Sequence, residues 1–433
     1  MKYRSLLNVS RKPLIMVAGG LCMLNALQAC GSSGSSSGTP ADSGAAAGVA
    51  GSNAAGTAGA NASGNGSTSG GASAGGTQST TGGMSGSTGT SGTGTAGASG
   101  TAGVAGAAGS TGNCDTPPTG SALVGWASQS GMGVTTTTGG GNAAPQTVTT
   151  LAALTAAVAD NTAKVVYVKG VLAAGKVKIG SNKTIVGLCG AEIHGHLGMS
   201  GSSNVIIQNL TIVGYGSGDC TLDPDYDATV GCSSGNDAIT VVDSSHHIWV
   251  DHCDISDGTD GNLDITQGSD FVTVSWTKFH YKPRTDNNGN DSTGAEGHRF
   301  SNLIGAADNV PMDTGHLNVT WHHDWWADNV NQRMPRSRAG KIHLFNDVFT
   351  AKGDSYCSNA GQGANLLVEN TVYDGVKAPF QVNGGSLVSN GNTFPNSTGT
   401  ETGSGAGFTP PYTYTLDATA GVEAAVEAGA GPH

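Results

Sequence analysis

Short apolar runs recur along the chain, and each run ends in a similar way. Seven segments contain a β-forming run, then a polar residue that is often Asn or His, and then one or two further β-forming residues: NVIIQNLTI (204–212), HIWVDHCDI (247–255), FVTVSWTKF (271–279), NVTWHHDWW (318–326), KIHLFNDVF (341–349), NLLVENTVY (365–373) and GSLVSNGNTF (385–394). Their last apolar residues, Ile212, Ile255, Phe279, Trp326, Phe349, Tyr373 and Phe394, are separated by 43, 24, 47, 23, 24 and 21 residues. Short β runs with this period predict an all-β fold, a parallel solenoid.

Two of these steps are about twice as long as the others. Each long step is either two turns of the solenoid or one turn with a long loop, and the Gly- and Asp-rich stretches at 214–236 and 283–316 favour inserted loops. Upstream, LAALTAAVADN (151–161) has the apolar spacing of a short N-terminal helix, and KVVYVKGVL (164–172) has that of a strand. The missing LxxLxL pattern excludes a leucine-rich repeat. Missing turn signals at regular short intervals disfavour a β-sandwich.

The polar residue inside each repeat has a structural explanation. Buried polar groups need hydrogen-bond partners, and identical positions on successive turns lie above one another. We therefore expect an inward ladder of side chains with mutual hydrogen bonds, rather than catalytic groups, at Asn209, His252, His323, Asn346 and Asn370.

Composition changes sharply along the chain. Gly accounts for 71 of 433 residues, and residues 31–113 are almost all Gly, Ser, Ala and Thr. This stretch cannot repay the entropy of ordering, so it is predicted to be a disordered linker. Residues 114–433 have a globular composition and are long enough for one large domain. The net charge of −12 argues against non-specific binding of nucleic acid and against attraction to anionic membranes.

Residues 1–30 have the features of an export signal. A positively charged start is followed by an apolar stretch, Leu14 to Leu27, that is too short to span a bilayer comfortably. The sequence LQAC that ends at Cys30 resembles the bacterial lipobox, in which the Cys thiol is acylated. We therefore expect an exported protein with a lipid anchor at Cys30, held at the outer membrane or cell surface. An ordinary secretory signal, and hence a secreted protein, is the alternative.

Six cysteines lie in the globular part: Cys114, Cys189, Cys220, Cys232, Cys253 and Cys357. Six thiols allow 15 pairings, so spacing alone does not determine the connectivity. Cys220 and Cys232 flank an acidic, Gly-rich loop and are the pair for which we expect a disulfide. A metal site made of cysteines is disfavoured because no CxxC spacing occurs.

Carboxylates are dense between two of the apolar runs. Asp237 precedes IWV (248–250), and Asp254, Asp257, Asp260 and Asp264 lie between that run and FVTVSW (271–276). Acidic side chains held by rigid strands suit a hard cation such as calcium, which takes six to eight oxygen ligands. The alternative is a set of ordinary turn aspartates.

The densest positive charge lies in NQRMPRSRAGK (331–341). Residues two apart on a strand share a face, so Arg336 and Arg338 are expected to point the same way. Arginine forks match carboxylates. The alternative is a set of surface ion pairs with the many aspartates. Together with the acidic stretch, the run indicates a groove with metal-binding acids on one wall and arginines on the other, which suits a polyanion.

The sequence resembles the pectate lyases of polysaccharide lyase family 1 over about residues 120–433. The motifs that carry the resemblance are SNKTIVG (181–187), NVIIQNL (204–210), DAI (237–239), IWVDHCDIS (248–256), DGNLDIT (260–266), FVTVSW (271–276), LIGAAD (303–308), VTWHHDWW (319–326), RMPRSRAGKIH (333–343) and PYTYTLD (411–417). The resemblance implies a right-handed single-stranded parallel β-helix that acts as a monomer on polygalacturonate.

The resemblance also implies roles for individual residues. Calcium would be bound by Asp237, Asp260 and Asp264, would hold the substrate carboxylate and would acidify the adjacent C–H. Arg333 would remove the C5 proton, and loss of the C4 oxygen would give an unsaturated product by β-elimination. Arg338, with Arg336, would bind the substrate. Arginine is normally protonated, so Arg333 needs strongly positive surroundings to act as a base.

The chain departs from the family pattern at two positions. Some members carry another Asp where this chain has Gly235, which leaves open whether a calcium ligand or a second ion is missing. The family's substrate-binding Lys, a few residues before LIG, is represented either by Lys282 or by Arg299.

Three other functions compete with the calcium-dependent pectate lyase. They are a pectin lyase for methylated substrate, a non-catalytic polysaccharide-binding β-helix, and a glycoside hydrolase with paired carboxylates.

Overall fold

The computed structural model describes residues 115–216, 219–283 and 298–433. The strands are β1 (Pro145–Val148), β2 (Lys164–Val168), β3 (Val171–Lys178), β4 (Lys183–Gly187), β5 (Glu192–Ser200), β6 (Ser203–Gln208), β7 (Thr211–Val213), β8 (Ile239–Val242), β9 (His246–Asp251), β10 (Asp254–Ser256), β11 (Leu263–Ile265), β12 (Asp270–Ser275), β13 (Lys278–His280), β14 (Leu303–Ile304), β15 (Val319–His322), β16 (Trp325–Trp326), β17 (Arg336–Phe345), β18 (Val348–Phe349), β19 (Ser358–Glu369), β20 (Val372–Tyr373), β21 (Phe380–Val382) and β22 (Ser386–Asn390). The helices are α1 (Leu151–Val158) and α2 (Thr419–Gly429).

The strands form three parallel sheets that run along one coil. Sheet 1 contains β1, β2, β4, β6, β9, β12, β15, the second half of β17, the second half of β19, and β22. Sheet 2 contains the start of β3, the start of β5, then β7, β10, β13, β16, β18 and β20. Sheet 3 contains the ends of β3 and β5, then β8, β11, β14, the starts of β17 and β19, and β21. Successive coils of this kind form a right-handed parallel β-helix, as expected.

The register of sheet 2 confirms the repeat. Its inward column runs Ile212, Ile255, Phe279, Trp326, Phe349 and Tyr373, each paired with the next. Aromatic rings stack along the column, for example Trp326 on Phe349, with ring centroids 4.5 Å apart. Because β7 pairs directly with β10 and β13 directly with β16, each long step is one turn with an inserted loop.

The polar residues of the repeats do align, but they do not form the expected mutual ladder. Each adopts the left-handed backbone region at a corner of the coil, with φ of 55° at Asn209 and 57° at Asn346. The asparagine side chains bond backbone groups instead: Asn346 Nδ2 donates to Asp417 O, and Asn209 Nδ2 donates to Gly187 O. The histidines lie against carboxylates, with His323 Nε2 3.0 Å from Asp417 Oδ2 and His252 Nδ1 3.0 Å from Asp251 Oδ2.

The inward polar ladder lies one residue further along the chain. Thr277 N donates to Asp324 Oδ1 (2.8 Å), and Asp324 N donates to Asp347 Oδ1 (2.9 Å). Asp347 N then donates to Thr371 Oγ1. The left-handed residue turns the chain, so the side chain that follows it points into the coil and accepts the amide of the preceding turn.

Two helices pack against the strands of the coil. Helix α1 is shorter than predicted, and its N-cap is Thr150, whose hydroxyl accepts a hydrogen bond from the Ala153 amide. The predicted strand at 164–172 divides into β2 and β3 at Gly170, where φ is 80°. Helix α2 packs Val422 and Val426 against sheet 2. Within the described ranges, no helix is long and apolar enough to cross a membrane.

The disulfide predicted between Cys220 and Cys232 is present. Cys253 and Cys357 are free and buried. The signal at 1–30, the lipid site Cys30, the linker at 31–113 and Cys114 lie outside the described residues, so these remain predictions.

Candidate active site

Three of the predicted carboxylates converge on sheet 3. Asp237 shortly precedes β8, Asp264 lies in β11, and Asp260 lies in the turn that leads into β11. Because β8 and β11 pair in register, one ligand oxygen from each of the three carboxylates lies within 4.8 Å of the other two. We call Asp237, Asp260 and Asp264 the acidic cluster.

The other two aspartates of the stretch have separate partners. Asp254 is paired with His280, whose Nε2 lies 2.6 Å from Asp254 Oδ1. Asp257 accepts the Lys282 amide at 2.9 Å. The structure thus separates a cluster of three from two aspartates with local contacts.

Burial and mutual repulsion disfavour the charged forms of Asp237 and Asp264. Asp237 is 9 % exposed and Asp264 5 %. Burial raises the pKa of Asp237 well above its ordinary value, and Asp264 and Asp260 raise it further. Burial and then Asp260 raise the pKa of Asp264 to about 7. Three carboxylates held this close repel one another, and a bound cation would relieve the repulsion.

Two observations test whether the cluster fits a metal ion. Asp237 Oδ1 is buried and has no hydrogen-bond partner among the described residues. Gly261 leaves space beside it, because a Cβ there would lie 2.8 Å from Asp237 Oδ1 and 3.0 Å from Asp264 Oδ1. A set of carboxylate oxygens around such a space fits calcium.

Two histidines that sequence reasoning missed support the cluster. His298 Nε2 lies 2.9 Å from Asp260 Oδ1 and 3.0 Å from the Asp260 carbonyl oxygen, and His298 is 2 % exposed. His196 Nδ1 lies 2.8 Å from the carbonyl oxygen of Asp237. Neither has a local sequence signal, because the two contacts join residues 38 and 41 positions apart.

The arginines lie next to the acidic cluster. Arg333 comes just before β17, and its guanidinium carbon lies 4.3 Å from the centre of the Phe300 ring. Its Nε is buried and has no hydrogen-bond partner within the described part of the chain. Arg333 lowers the pKa of Asp264, as Arg338 does to a smaller extent, so both positive charges act on the cluster.

Arg338 is oriented by the LIGAAD motif. Its Nη1 donates to Gly305 O (3.0 Å) and to Ala306 O (2.7 Å), and Nε lies 3.5 Å from Asp308 Oδ1. Burial lowers the pKa of Arg338, and the charges of Arg336 and Arg333 lower it further. The three arginines therefore form one positive region, as the sequence predicted.

Tyr356 is a further neighbour of the arginines that sequence reasoning missed. It is 8 % exposed, and its hydroxyl bonds Arg336. Burial raises the pKa of the Tyr356 hydroxyl, while Arg336, Arg333 and Arg338 lower it. Its position shows that a polar group lies directly against the arginines.

The two candidates for the family lysine lie in different places. Lys282 follows β13, is exposed, and has its Nζ 3.9 Å from Asp257 Oδ2. Arg299 donates from Nε to Asn329 O at 2.6 Å and precedes Phe300, the ring that contacts Arg333. Which of the two contacts substrate therefore stays a prediction.

The position of Gly235 has a structural explanation. A Cβ there would lie 2.3 Å from Thr259 Cγ2 and 2.9 Å from Asp223 Oδ2. A side chain at residue 235 would overlap Thr259 first and the Asp223 carboxylate next. Asp223 is 4 % exposed.

Comparisons with known proteins find matches to pectate lyases. A family model described as pectate lyase matches residues 38–431. Pectate lyase A of Aspergillus niger is 38% identical over 297 residues, which is 66% of this chain and 80% of that protein. Pectate lyase E of Dickeya chrysanthemi is 31% identical over 301 residues, 60% of this chain and 69% of that protein.

Solved structures show the same fold. A pectate lyase from Bacillus sp. N165 in complex with trigalacturonate has a TM-score of 0.57 and 25% identity, and the match covers 72% of this chain and 99% of that one. A mutant of a Bacillus subtilis pectate lyase has a TM-score of 0.55 and 24% identity, and the match covers 71% of this chain and 96% of that one.

Proposed function

Because the chain belongs to the pectate lyase family, we propose that it cleaves polygalacturonate by calcium-dependent β-elimination. As a member of that family it is a polysaccharide lyase. The observation that carries the finer proposal is the acidic cluster, with Asp237 and Asp264 buried, beside three arginines. This arrangement suits a polyanion whose carboxylates meet a cation on one side and guanidinium groups on the other.

Asp237, Asp260 and Asp264 would hold the ion, and the orphaned Asp237 Oδ1 supports this assignment. Bound calcium would neutralise the substrate carboxylate and make the adjacent C5 proton more acidic. Arg333 would accept that proton, and the electron pair of the C5–H bond would form a C4–C5 double bond. The leaving oxygen would depart from C4 with its bonding pair and take a proton from water.

Arg338 positions the substrate carboxylate. Two carbonyl oxygens hold its Nη1 and thereby set the plane of the guanidinium group. A guanidinium fixed in this way can present its remaining N–H groups to a carboxylate with little further loss of entropy. The conservative change Arg338→Lys is therefore not equivalent to the native residue.

Polygalacturonate is preferred over methylated pectin in this proposal. A neutral ester would not need a metal ion held by three clustered carboxylates, whereas an acidic sugar would. The solved Bacillus sp. N165 pectate lyase that this chain resembles is in complex with trigalacturonate, which supports an acidic substrate. The proposal includes export by residues 1–30 and a lipid anchor at Cys30.

One assay separates the candidate functions. The protein is incubated with polygalacturonate and with methylated pectin, each with calcium or with a chelator, and the ultraviolet absorbance of unsaturated product is followed. We expect product only from polygalacturonate with calcium. Turnover that survives chelation overturns the proposal. Product mainly from methylated pectin indicates a pectin lyase, reducing ends without absorbance indicate hydrolysis, and no cleavage of either polymer indicates a binding protein.

Substitution of the base completes the test. Arg333→Ala is expected to lower turnover by about a thousandfold or more, because it removes the group that takes the proton. Lys341→Ala is the matched control, since Lys341 is a positive residue in the same run but is exposed. Far-ultraviolet circular dichroism of both variants confirms the fold. Arg333→Ala with normal turnover contradicts the assigned role.

A further inference from the structure

The inserted loop between β7 and β8 ends at the acidic cluster. The disulfide between Cys220 and Cys232 closes its central part, and Asp223 lies inside the closed segment. Although it belongs to a surface loop, Asp223 is only 4 % exposed. A carboxylate buried in a loop needs a physical reason, because burial of an unpaired charge is unfavourable.

The reason is a set of three N–H donors. Asp223 Oδ2 accepts the Asn236 amide at 2.8 Å. Asp223 Oδ1 accepts Asn236 Nδ2 at 2.6 Å and the Asp225 amide at 2.9 Å. Two of the three bonds therefore hold the single residue that precedes Asp237.

Asn236 in turn bonds the segment that carries the second carboxylate of the cluster. Its carbonyl oxygen accepts the Thr259 amide at 2.8 Å and the Asp260 amide at 3.4 Å. Asn236 is thus joined covalently to Asp237 and by hydrogen bonds to the backbone at Asp260. Asn236 therefore links the backbone at Asp237 to the backbone at Asp260.

Packing at Gly235 limits shifts of Asn236. Asp223 Oδ2 and the Thr259 methyl group fill the space where a side chain at residue 235 would lie. The Asp223 charge also raises the pKa of Asp237, although less than burial and the other two carboxylates of the cluster do. The loop therefore acts on the cluster through both contact and charge.

We infer that Asp223 is a positioning residue that fixes the spacing of Asp237 and Asp260 through Asn236. As far as it concerns calcium, this inference rests on the proposed function. The positioning itself is a property of the metal-free protein. The two parts can therefore be measured separately.

The first experiment changes the acceptor and measures calcium binding. Asp223→Asn preserves the shape of the side chain, but it replaces one acceptor oxygen by an NH₂ group that faces an N–H donor. Calorimetric titration with calcium chloride is expected to show a dissociation constant at least tenfold higher than that of the native protein. Asp227→Asn removes the same charge from the same loop, where the exposed carboxylate accepts from Thr229. This control should stay within twofold of the native value.

The second experiment does not depend on a metal ion. Hydrogen exchange of the Thr259 and Asp260 amides in the chelator-treated protein is expected to be at least tenfold faster in Asp223→Asn than in Asp227→Asn. If the native protein binds no calcium, the proposed function loses its metal site while exchange still decides the positioning role. Native protection of both amides in Asp223→Asn overturns the inference.

Gly235→Ala provides an independent variant in case Asp223→Asn is too unstable to purify. The backbone at Gly235 has φ of −82°, which alanine adopts readily, so the only change is the added methyl group. That methyl group overlaps Thr259 and Asp223. We expect the same loss of protection at Thr259 and Asp260 and the same weaker calcium binding. Native values for both properties would contradict the inference.

Discussion

At the scale of single residues, Gly261 determines whether the acidic cluster has room for an ion. A methyl group there would lie against Asp237 Oδ1 and Asp264 Oδ1, at 2.8 and 3.0 Å. Gly261→Ala is therefore expected to raise the calcium dissociation constant at least tenfold, with the free energy of unfolding changed by less than about 1 kcal/mol. Calcium titration and urea unfolding measure the two quantities.

Gly421→Ala is the matched control for this substitution. Gly421 lies in α2, and a Cβ there would have nothing within 4 Å. Calcium binding should be unchanged in this variant, and the helix should become slightly more stable. A Gly261→Ala protein that binds calcium as tightly as the native protein would show that the space beside Asp237 is not the ion site.

Residue types and spacing, with the family motifs, were enough to predict which acidic residues the fold brings together. Aspartates in one dense stretch and arginines in one run are local signals, and the family motifs assign them to a metal and to a substrate. His298, Asp223 and Tyr356 had no such signal. Each contacts a residue that is distant in the sequence and that the stacking of the coil brings close. His298 and Asp260, for example, are 38 positions apart.

At the scale of elements, the strands of the repeat were predictable because each turn repeats the same local pattern. The conformation of the residues at the corners of the coil was harder to predict. The residue at a corner adopts the left-handed region, as Asn346 does with φ of 57°, and this turn decides which neighbour points inward. The polar ladder was therefore expected at Asn346, whereas the structure has it at Asp347.

The C-terminal segment is an element that the repeat pattern did not predict, and it is fastened to the coil at the end of β19. Glu369 accepts from Tyr414 Oη at 2.6 Å and lies 3.1 Å from His343 Nε2. Hydrogen bonds from His343 chiefly, and then from Tyr414 and Asn390, lower the pKa of Glu369 from 4.5 to about 2 despite its burial.

This pKa predicts a dependence of stability on pH. A carboxyl group whose pKa is lower in the folded state stabilises the fold above about pH 4.5 and loses that contribution as the pH falls towards 2. The free energy of unfolding of Glu369→Gln should therefore fall less steeply than the native value between these limits. Urea unfolding at several pH values measures the slopes. Glu427→Gln, on the exposed face of α2, should follow the native curve. Parallel curves for Glu369→Gln and the native protein would refute the assignment.

At the scale of the whole molecule, the coil brings a cluster of carboxylates next to a cluster of arginines. The chain has a net charge of −12, yet Arg336 and Arg338 of β17 lie beside the acidic cluster together with Arg333, which precedes β17. Sheet 3 achieves this because β8, β11, β14 and the start of β17 are successive neighbours. The sequence pattern predicted that these acidic and basic residues lie near each other, and the groove between them stays a prediction. The pattern did not predict which loop supports the acidic cluster, because loop contacts depend on the stacking of turns that are far apart in the chain.

Calcium should stabilise the whole fold if the acidic cluster binds it. A ligand that binds only the folded state adds about 2.7 kcal/mol at a hundredfold excess over its dissociation constant, which is a rise of several degrees in Tm. Asp264→Asn should differ from the native protein both without calcium and in its response to calcium. It removes one of three mutually repelling charges, so its Tm without calcium should exceed the native value, while calcium should change it little. Scanning calorimetry with calcium, with magnesium at equal ionic strength, and with chelator measures these shifts. Equal shifts with both ions, or an equal response of Asp264→Asn and the native protein, would place the stabilising ion elsewhere.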